Sequence, residues 1–237
     1  MKRASKKPLQ IDVLTLFPQM VDAYLHEAML LRGQKAGALK LASHDLRTWT
    51  HDNHHTVDDR PFGGGPGMVM QIAPFHEALM ALRVRKQDGQ PTATAKRTRV
   101  IVTSASGKPF TQQEAVRLAT YDRLVFLCGR YEGIDARVEE HLADEAFSVG
   151  PYVLTGGELP ALIMADAIAR LRPGVLGKQA SLDAESHTEK GVLEYPQYTR
   201  PEIYAAGKQT WNVPDVLLGG NHAEIAKWRV QQQKRAS

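Results

Sequence analysis

The sequence predicts an α/β domain built on a largely parallel sheet. Three observations carry that reading: strand and helix signals alternate through most of the length, the strand signals are short buried apolar runs, and glycine-containing turns follow several of those runs. Leu9–Leu16 reads as the first strand. Pro18 suits a first helical turn, and an amphipathic stretch continues to Leu31. Leu39–Ala42 is a short strand. His51–Gly67 is polar and too long for a mere connector. Pro74–Arg85 reads as a helix and Gln87–Thr98 as a surface loop. Arg99–Thr103 is a buried strand. Thr111 then caps a helix through Thr120, with Glu114 three residues on as in a capping box. Arg123–Cys128 is a further strand, Phe147–Val149 and Tyr152–Leu154 are extended pieces, and Glu158–Arg172 is a helix stopped by Pro173-Gly174. Past Gly177 the texture changes: Lys178–Tyr198 lacks a period, and Pro201–Ser237 holds one clear helix, Ala223 to Gln233. The expected division is a domain over 1–177, a linker over 178–198 and a small helical domain over 199–237.

The chain has 237 residues, 43% of them hydrophobic, enough for an ordinary core. Composition excludes disorder, collagen and a disulfide scaffold. Cys128 is the single cysteine, which excludes a multi-thiolate zinc site and fits a reducing cytoplasm. No run of about 18 apolar residues occurs, so no membrane span is expected, and the start lacks the small-residue cleavage site of a signal peptide. The net charge is +4, with 30 Lys and Arg against 26 Asp and Glu. The cations Lys2, Arg3, Lys6, Lys7, Lys227, Arg229, Lys234 and Arg235 sit at the two ends. Residues 8–226 carry 22 cations against 26 acids, a net of −4. These are basic tails on a mildly acidic body, to be read as solvated ends or as nucleic-acid contacts.

Several common loops are missing. No G-x-x-x-x-G-K-[ST] occurs, no G-x-G-x-x-G opens a helix after a strand, and no G-x-S-x-G elbow is found. Three glycine loops stand at strand ends instead: Ser104–Gly107, Gly129–Gly133 and Gly150–Gly157. In an open α/β sheet, ligands sit beyond the carboxyl ends of strands. Three such loops form either one pocket that holds an adenosine moiety through backbone groups or three ordinary tight turns. The stretch from Thr56 to Met68 is a shaped loop with two carboxylates and an Arg ahead of its glycines. His51, His54 and His55 beside it suggest a metal only weakly, and a loop that faces nucleic acid is the better reading. Asp166 and Arg170 stand at i,i+4, either a plain helix ion pair or an Arg offered beside the glycine loops.

DVLTLFPQM, TVDDRPFGGGPGM, LCGRYEGID, YVLTGGELPA, RPGVLG, YTRPE and LLGGNHAEIAKWR, in that order from about Ile11 to Arg229, resemble the bacterial tRNA (guanine-N1)-methyltransferases of the TrmD type, in the SPOUT class. The resemblance implies a SPOUT-type α/β domain with a deep trefoil knot, which no sequence rule predicts, plus a small helical C-terminal domain that grips tRNA. It implies S-adenosylmethionine as methyl donor, and it admits Mg2+ without assigning a metal ligand. The partners it implies are tRNA and a second copy of the chain, with the site at the homodimer interface. The product would be N1-methylguanine at position 37, beside the anticodon. Cofactor contacts carry over to Thr103, Ser104, Ala105, Gly129, Tyr131, Val149, Gly150, Pro151, Tyr152, Val153, Leu154, Gly156, Gly157 and Pro160. Glu132 would face the methionine part. Arg170 would stabilise charge at guanine O6, and Glu185 would take the N1 proton.

Three departures stand out. Glu185 fills a slot that is Asp in the family, with Asp183 as the fallback base. Pro151 replaces an Asp, and the sequence stops soon after the AKWR helix, where relatives continue with basic sequence. They motivate two alternatives: another SPOUT RNA methyltransferase acting on ribose 2′-OH, or a tRNA-binding protein with impaired catalysis.

Overall fold

A computed structural model describes residues 7–176, 186 and 192–235. The chain forms two compact units, Met1–Gly177 and Lys178–Ser237. The first carries β1 (Leu9–Thr15), α1 (Pro18–Leu25), α2 (Ala28–Lys35), β2 (Leu39–Asp45), β3 (Asp58–Asp59), β4 (Val69–Met70), α3 (Ile72–Ala81), β5 (Thr98–Pro109), α4 (Gln112–Leu118), β6 (Arg123–Cys128), α5 (Ala136–His141), β7 (Glu145–Ser148) and α6 (Glu158–Ala169). Five strands form one parallel sheet in the order β2-β1-β6-β5-β7. Its faces are covered by different helices. Leu9, Ile11, Leu124, Phe126 and Ile101 pack with Val21, Leu118 and the apolar body of α6. Leu14, Val125, Leu127, Val100 and Val102 pack with Phe75, Leu79 and Val138 of α3 and α5. Burial on both faces is why the central strands are unbroken apolar runs rather than alternating ones.

Few charged groups are buried in this unit, and one of them ties the strands together. Asp12 of β1 is 1% exposed. Its Oδ2 accepts from Arg123 Nε at 2.7 Å, and its Oδ1 is 2.8 Å from His44 Nε2. Arg123 also donates to the carbonyl of Leu82, so a single carboxylate ties β1, β2 and β6 to the end of α3. Burial pushes the Asp12 carboxyl up, but the His44 and Arg123 hydrogen bonds outweigh it and hold the group below the usual range.

Several sequence expectations shift. The helix expected from Pro18 to Leu31 breaks at His26-Glu27, and Ala28 adopts φ +46°. The helix expected at Pro74 begins at Ile72, which places Pro74 in the first turn, where a missing N–H costs nothing. The strand expected to stop at Thr103 runs to Pro109, with an irregular register in which both Thr103 and Lys108 oppose Phe147. Ser104–Gly107 is therefore a bulge within β5 rather than a loop after it. Gly107 permits it, because a Cβ there would lie 2.7 Å from the Phe147 backbone. Tyr152–Leu154 is irregular. By contrast, Thr111 caps α4 by accepting from Glu114 N, and β6 has the expected bounds.

The second unit is not purely helical. It contains a short pair, β8 (Val192–Leu193) with β11 (Lys234–Arg235), and an antiparallel hairpin, β9 (Ile203–Ala206) with β10 (Gln209–Asn212), as well as α7 (His222–Gln232). Asn221 caps α7 by accepting from Ala223 N and Glu224 N. The hairpin escaped sequence reading because four-residue strands show too few periods to register.

Asp12→Asn is expected to lower the unfolding free energy by about 3–5 kcal/mol, the usual cost of leaving one partner of a buried pair uncompensated. Because the folded-state pKa is depressed, the wild-type advantage is present above about pH 4 and is lost as pH falls through the folded value. Urea unfolding from pH 7 down to pH 3 should show the two chains converging at the acid end.

Candidate functional site

β5, β6 and β7 run parallel, so their carboxyl ends open on one side. There the chain forms a cavity of about 380 Å³, lined by the β5 bulge, residues 129–136, Val149 and residues 152–157. Its floor is set by a close approach. Gly157 N donates to the carbonyl of Gly129 at 2.8 Å. A Cβ on Gly157 would overlap Thr103 Oγ1 and lie 2.8 Å from both Cys128 Cα and Gly129 N. Only glycine lets the two loops meet there.

A buried carboxylate locks this arrangement. Glu158, the first residue of α6, is fully buried and accepts from Thr15 Oγ1 at 2.7 Å and from Arg130 Nε at 2.9 Å. Thr15 Oγ1 in turn accepts from Phe17 N, and the Arg130 guanidinium stacks 4.5 Å over the Phe17 ring. Negative charge at a helix N-terminus is favourable, and the paired Arg compensates its burial. The end of β1, the 129–133 loop and the start of α6 thus form one rigid corner. Glu158 lies in the quoted GGELPA motif, but its role was invisible there because both partners are distant in sequence.

The glycine-rich stretch after Arg60 is drawn alongside. Glu132 N donates to Met68 O, Met70 N to Gly133 O and Asp135 N to Met70 O, each within 3.0 Å. This sets Gly67 against the Glu132 side chain. Glu132, Asp135 and Glu139 give the cavity an acidic edge. Side-chain hydrogen bonds from Arg137 hold Asp135 below the usual carboxylate range. Cys128 lies beneath. Burial, then the Glu158 charge, pushes its thiol well above the usual value, so it stays protonated and is no nucleophile.

Most of the expected cofactor residues come together here. Thr103, Ser104, Ala105, Gly129, Tyr131, Val149, Tyr152, Val153, Leu154, Gly156, Gly157 and Pro160 line the cavity, with Glu132. Gly150 and Pro151 do not. The Tyr152 ring folds back over Gly150, with its hydroxyl 3.2 Å from Val149 O, and supplies the wall in their place. The departure at Pro151 therefore falls outside the cavity lining. Arg170 is elsewhere. It ends α6 and borders a second depression with Tyr24, Gln112, Leu159, Ile163 and Asp166. Burial, then the Asp166 carboxylate, pushes the Tyr24 hydroxyl above its usual value. Twelve helical steps separate Glu158 from Arg170, on the order of 18 Å. Glu185 and Asp183 lie outside the described residues.

The cavity fits an adenosylated sulfonium. Its size is in the range of small-ligand sites. Glycine backbone approaches it closely, apolar walls come from Val149, Leu154 and Pro160, and carboxylates line one edge for a cation. Among the described residues no group of three or more His, Cys, Asp or Glu is placed to hold a metal; His51 instead contacts Glu77 at 2.7 Å. No helix among the described residues is long and apolar enough to cross a membrane.

Residues 9–237 match the family model described as tRNA (Guanine-1)-methyltransferase TrmD. A tRNA (guanine-N(1)-)-methyltransferase of Pseudomonas putida (strain W619) is 48% identical over 224 residues, covering 94% of this chain and 84% of the relative. The proteins of the same name from Dehalococcoides mccartyi (strain ATCC BAA-2266 / KCTC 15142 / 195) and Citrifermentans bemidjiense are each 44% identical over 227 residues, 96% of this chain and 86% of theirs.

Gly157→Ala is expected to force the two loops apart and cost about 1–3 kcal/mol of stability, as overpacking does. Gly207→Ala, at a turn with nothing within 4 Å, pays only the strain of its φ of +62°. Thermal unfolding of the two variants should rank them in that order.

Proposed function

The chain belongs to the tRNA (guanine-1)-methyltransferase TrmD family, and we propose that it transfers a methyl group from S-adenosylmethionine to N1 of guanine at position 37 of tRNA, beside the anticodon. That it is an enzyme, a tRNA (guanine-N1)-methyltransferase, follows from the family match and the relatives' names. The observation that carries the finer reading is the glycine-floored, acid-edged cavity at the carboxyl ends of β5, β6 and β7. A trefoil knot is part of the proposal, supported by the return of residues 149–157 across the ends of β5 and β6, where Gly157 meets Gly129. The departures at Glu185 and Pro151 favour neither alternative, since Pro151 is outside the cavity lining and glutamate keeps the carboxylate.

The bound donor supplies an electrophilic sulfonium methyl. The loops at Thr103–Ala105, Gly129–Tyr131 and Val149–Gly157 hold the adenosine part through backbone groups, and Glu132 sets its carboxylate toward the cationic end. Guanine N1 carries a proton at neutral pH. Glu185 accepts it, with Asp183 as the fallback, and the N1 lone pair is then free to take the methyl. Charge moves toward O6, where the Arg170 guanidinium offers a fork of donors.

Glu158, beside the cavity floor, and Arg170 stand at opposite ends of α6, about 18 Å apart, and Arg170 does not line the cavity of its own chain. We therefore assign each site to two copies, the donor cavity from one and Arg170 from the other. The apolar side chains Tyr24, Leu159 and Ile163, each about half exposed around Arg170, support such a contact face. The C-terminal cations are the proposed phosphate contacts. Lys227 now pairs with Glu224 at 2.9 Å and Arg229 stacks on Tyr195, exposed and weakly held.

Arg170→Ala should abolish methyl transfer and leave donor binding intact by calorimetry; a near-normal single-turnover rate would remove Arg170 from the chemistry. Glu185→Gln should slow the chemical step far more than Asp183→Asn, and the reverse order would move the base to Asp183. Nucleoside analysis of treated tRNA should show N1-methylguanine and no ribose methylation.

A further inference from the structure

The β9–β10 hairpin presents two large aromatic side chains. Tyr204 and Trp211 stand directly opposite each other in its register, and their rings stack at 5.7 Å with an interplanar angle of 23°. Stacked aromatics on a globular surface normally serve to bury area. These two remain 54% and 61% exposed, and Ile203 on the other face of the hairpin is 60% exposed. A two-stranded hairpin of this length is marginal by itself, and a stacked pair offsets only part of that. The hairpin thus holds two large rings in fixed orientation toward solvent, a costly arrangement for a chain without a partner at that surface.

The chemistry around the rings selects the partner. The two-residue turn carries Lys208, and Arg200 lies just before β9, with Glu202 the one acid between Arg200 and Asn212. Flat π-faces beside cations match an unstacked base with its flanking phosphates. RNA recognition targets bases splayed from loops, which stack on Tyr and Trp. A protein partner would instead be served by burying Ile203 and the ring edges together, and cations on both flanks add nothing to that. We propose that Tyr204 and Trp211 form a stacking platform for an unpaired base of the tRNA substrate, with Lys208 and Arg200 on the adjoining phosphates. This rests on the reading of the chain as a tRNA methyltransferase and adds a base-contacting surface to the second unit.

The test follows the fluorescence of Trp211 in the full chain with Trp49 and Trp228 replaced by Phe. Adding unmodified tRNA transcript should quench the emission strongly, as stacking on a base does; unchanged emission at saturating tRNA overturns the platform. Trp211→Leu should weaken tRNA binding roughly 5- to 100-fold without altering the salt slope, whereas Lys208→Ala should lower that slope by about one unit or less. Trp211→Phe, which keeps a ring, should stay close to wild type. Donor binding should be unchanged in all three. A shift of Trp211→Leu to a smaller species in sedimentation, with tRNA affinity per active site kept, would assign the hairpin to a second copy and overturn the proposal. If the wild-type chain fails to methylate tRNA, the functional reading falls and takes this inference with it. A wild type that methylates normally beside an undiminished Trp211→Leu sinks the platform alone.

Discussion

Two loops meet backbone to backbone where Gly157 N donates to Gly129 O, and the site depends on that contact. It sets how far residues 149–157 stand above the sheet, and so how wide the cavity is. The contact needs a missing Cβ on one side and a force that holds the loops together on the other. Glu158 supplies the second. Its carboxylate is fully buried and bonded to Thr15 and Arg130, so moving α6 away from β1 would strand a charge in an apolar corner. The same residue begins α6, and the helix that leaves this corner ends at Arg170. One rigid element therefore carries the floor of the proposed donor cavity at its start and the proposed O6 ligand at its end.

That geometry turns a helix length into a statement about assembly. A methyl group and the N1 that receives it must lie within van der Waals contact, far closer than the span of α6 allows for groups at its two ends. In the proposed pair of copies, the end of one α6 would meet the start of the other. It also gives the half-exposed Tyr24, Leu159 and Ile163 a reason to be apolar.

The parts of this architecture that depend on local pattern were legible in the sequence. Arg123–Cys128 is an unbroken apolar run and is a strand over those same residues; Thr111 with Glu114 announces a cap that forms. The cavity residues follow from the family resemblance, since the glycine loops alone also read as ordinary tight turns. What failed to show in the sequence is set by distant partners. β5 continues past Thr103 because Gly107 can approach Phe147, and Asp12 and Glu158 look like surface acids until Arg123, His44, Thr15 and Arg130 arrive. The aromatic hairpin was missed because its rings sit seven residues apart, a spacing that means nothing until the turn at Gly207-Lys208 folds them face to face.

We propose that a working site takes its donor cavity from one copy and Arg170 from another. It is tested most directly by isolating a mixed dimer of differently tagged chains, one carrying Arg170→Ala and the other carrying Gly157→Ala at the cavity floor. Each variant alone should be inactive. The mixed dimer should recover about half the wild-type rate, because one of its two symmetry-related sites is then intact. A mixed dimer as inactive as its parents would place the cavity and Arg170 in the same chain's site and overturn the shared arrangement.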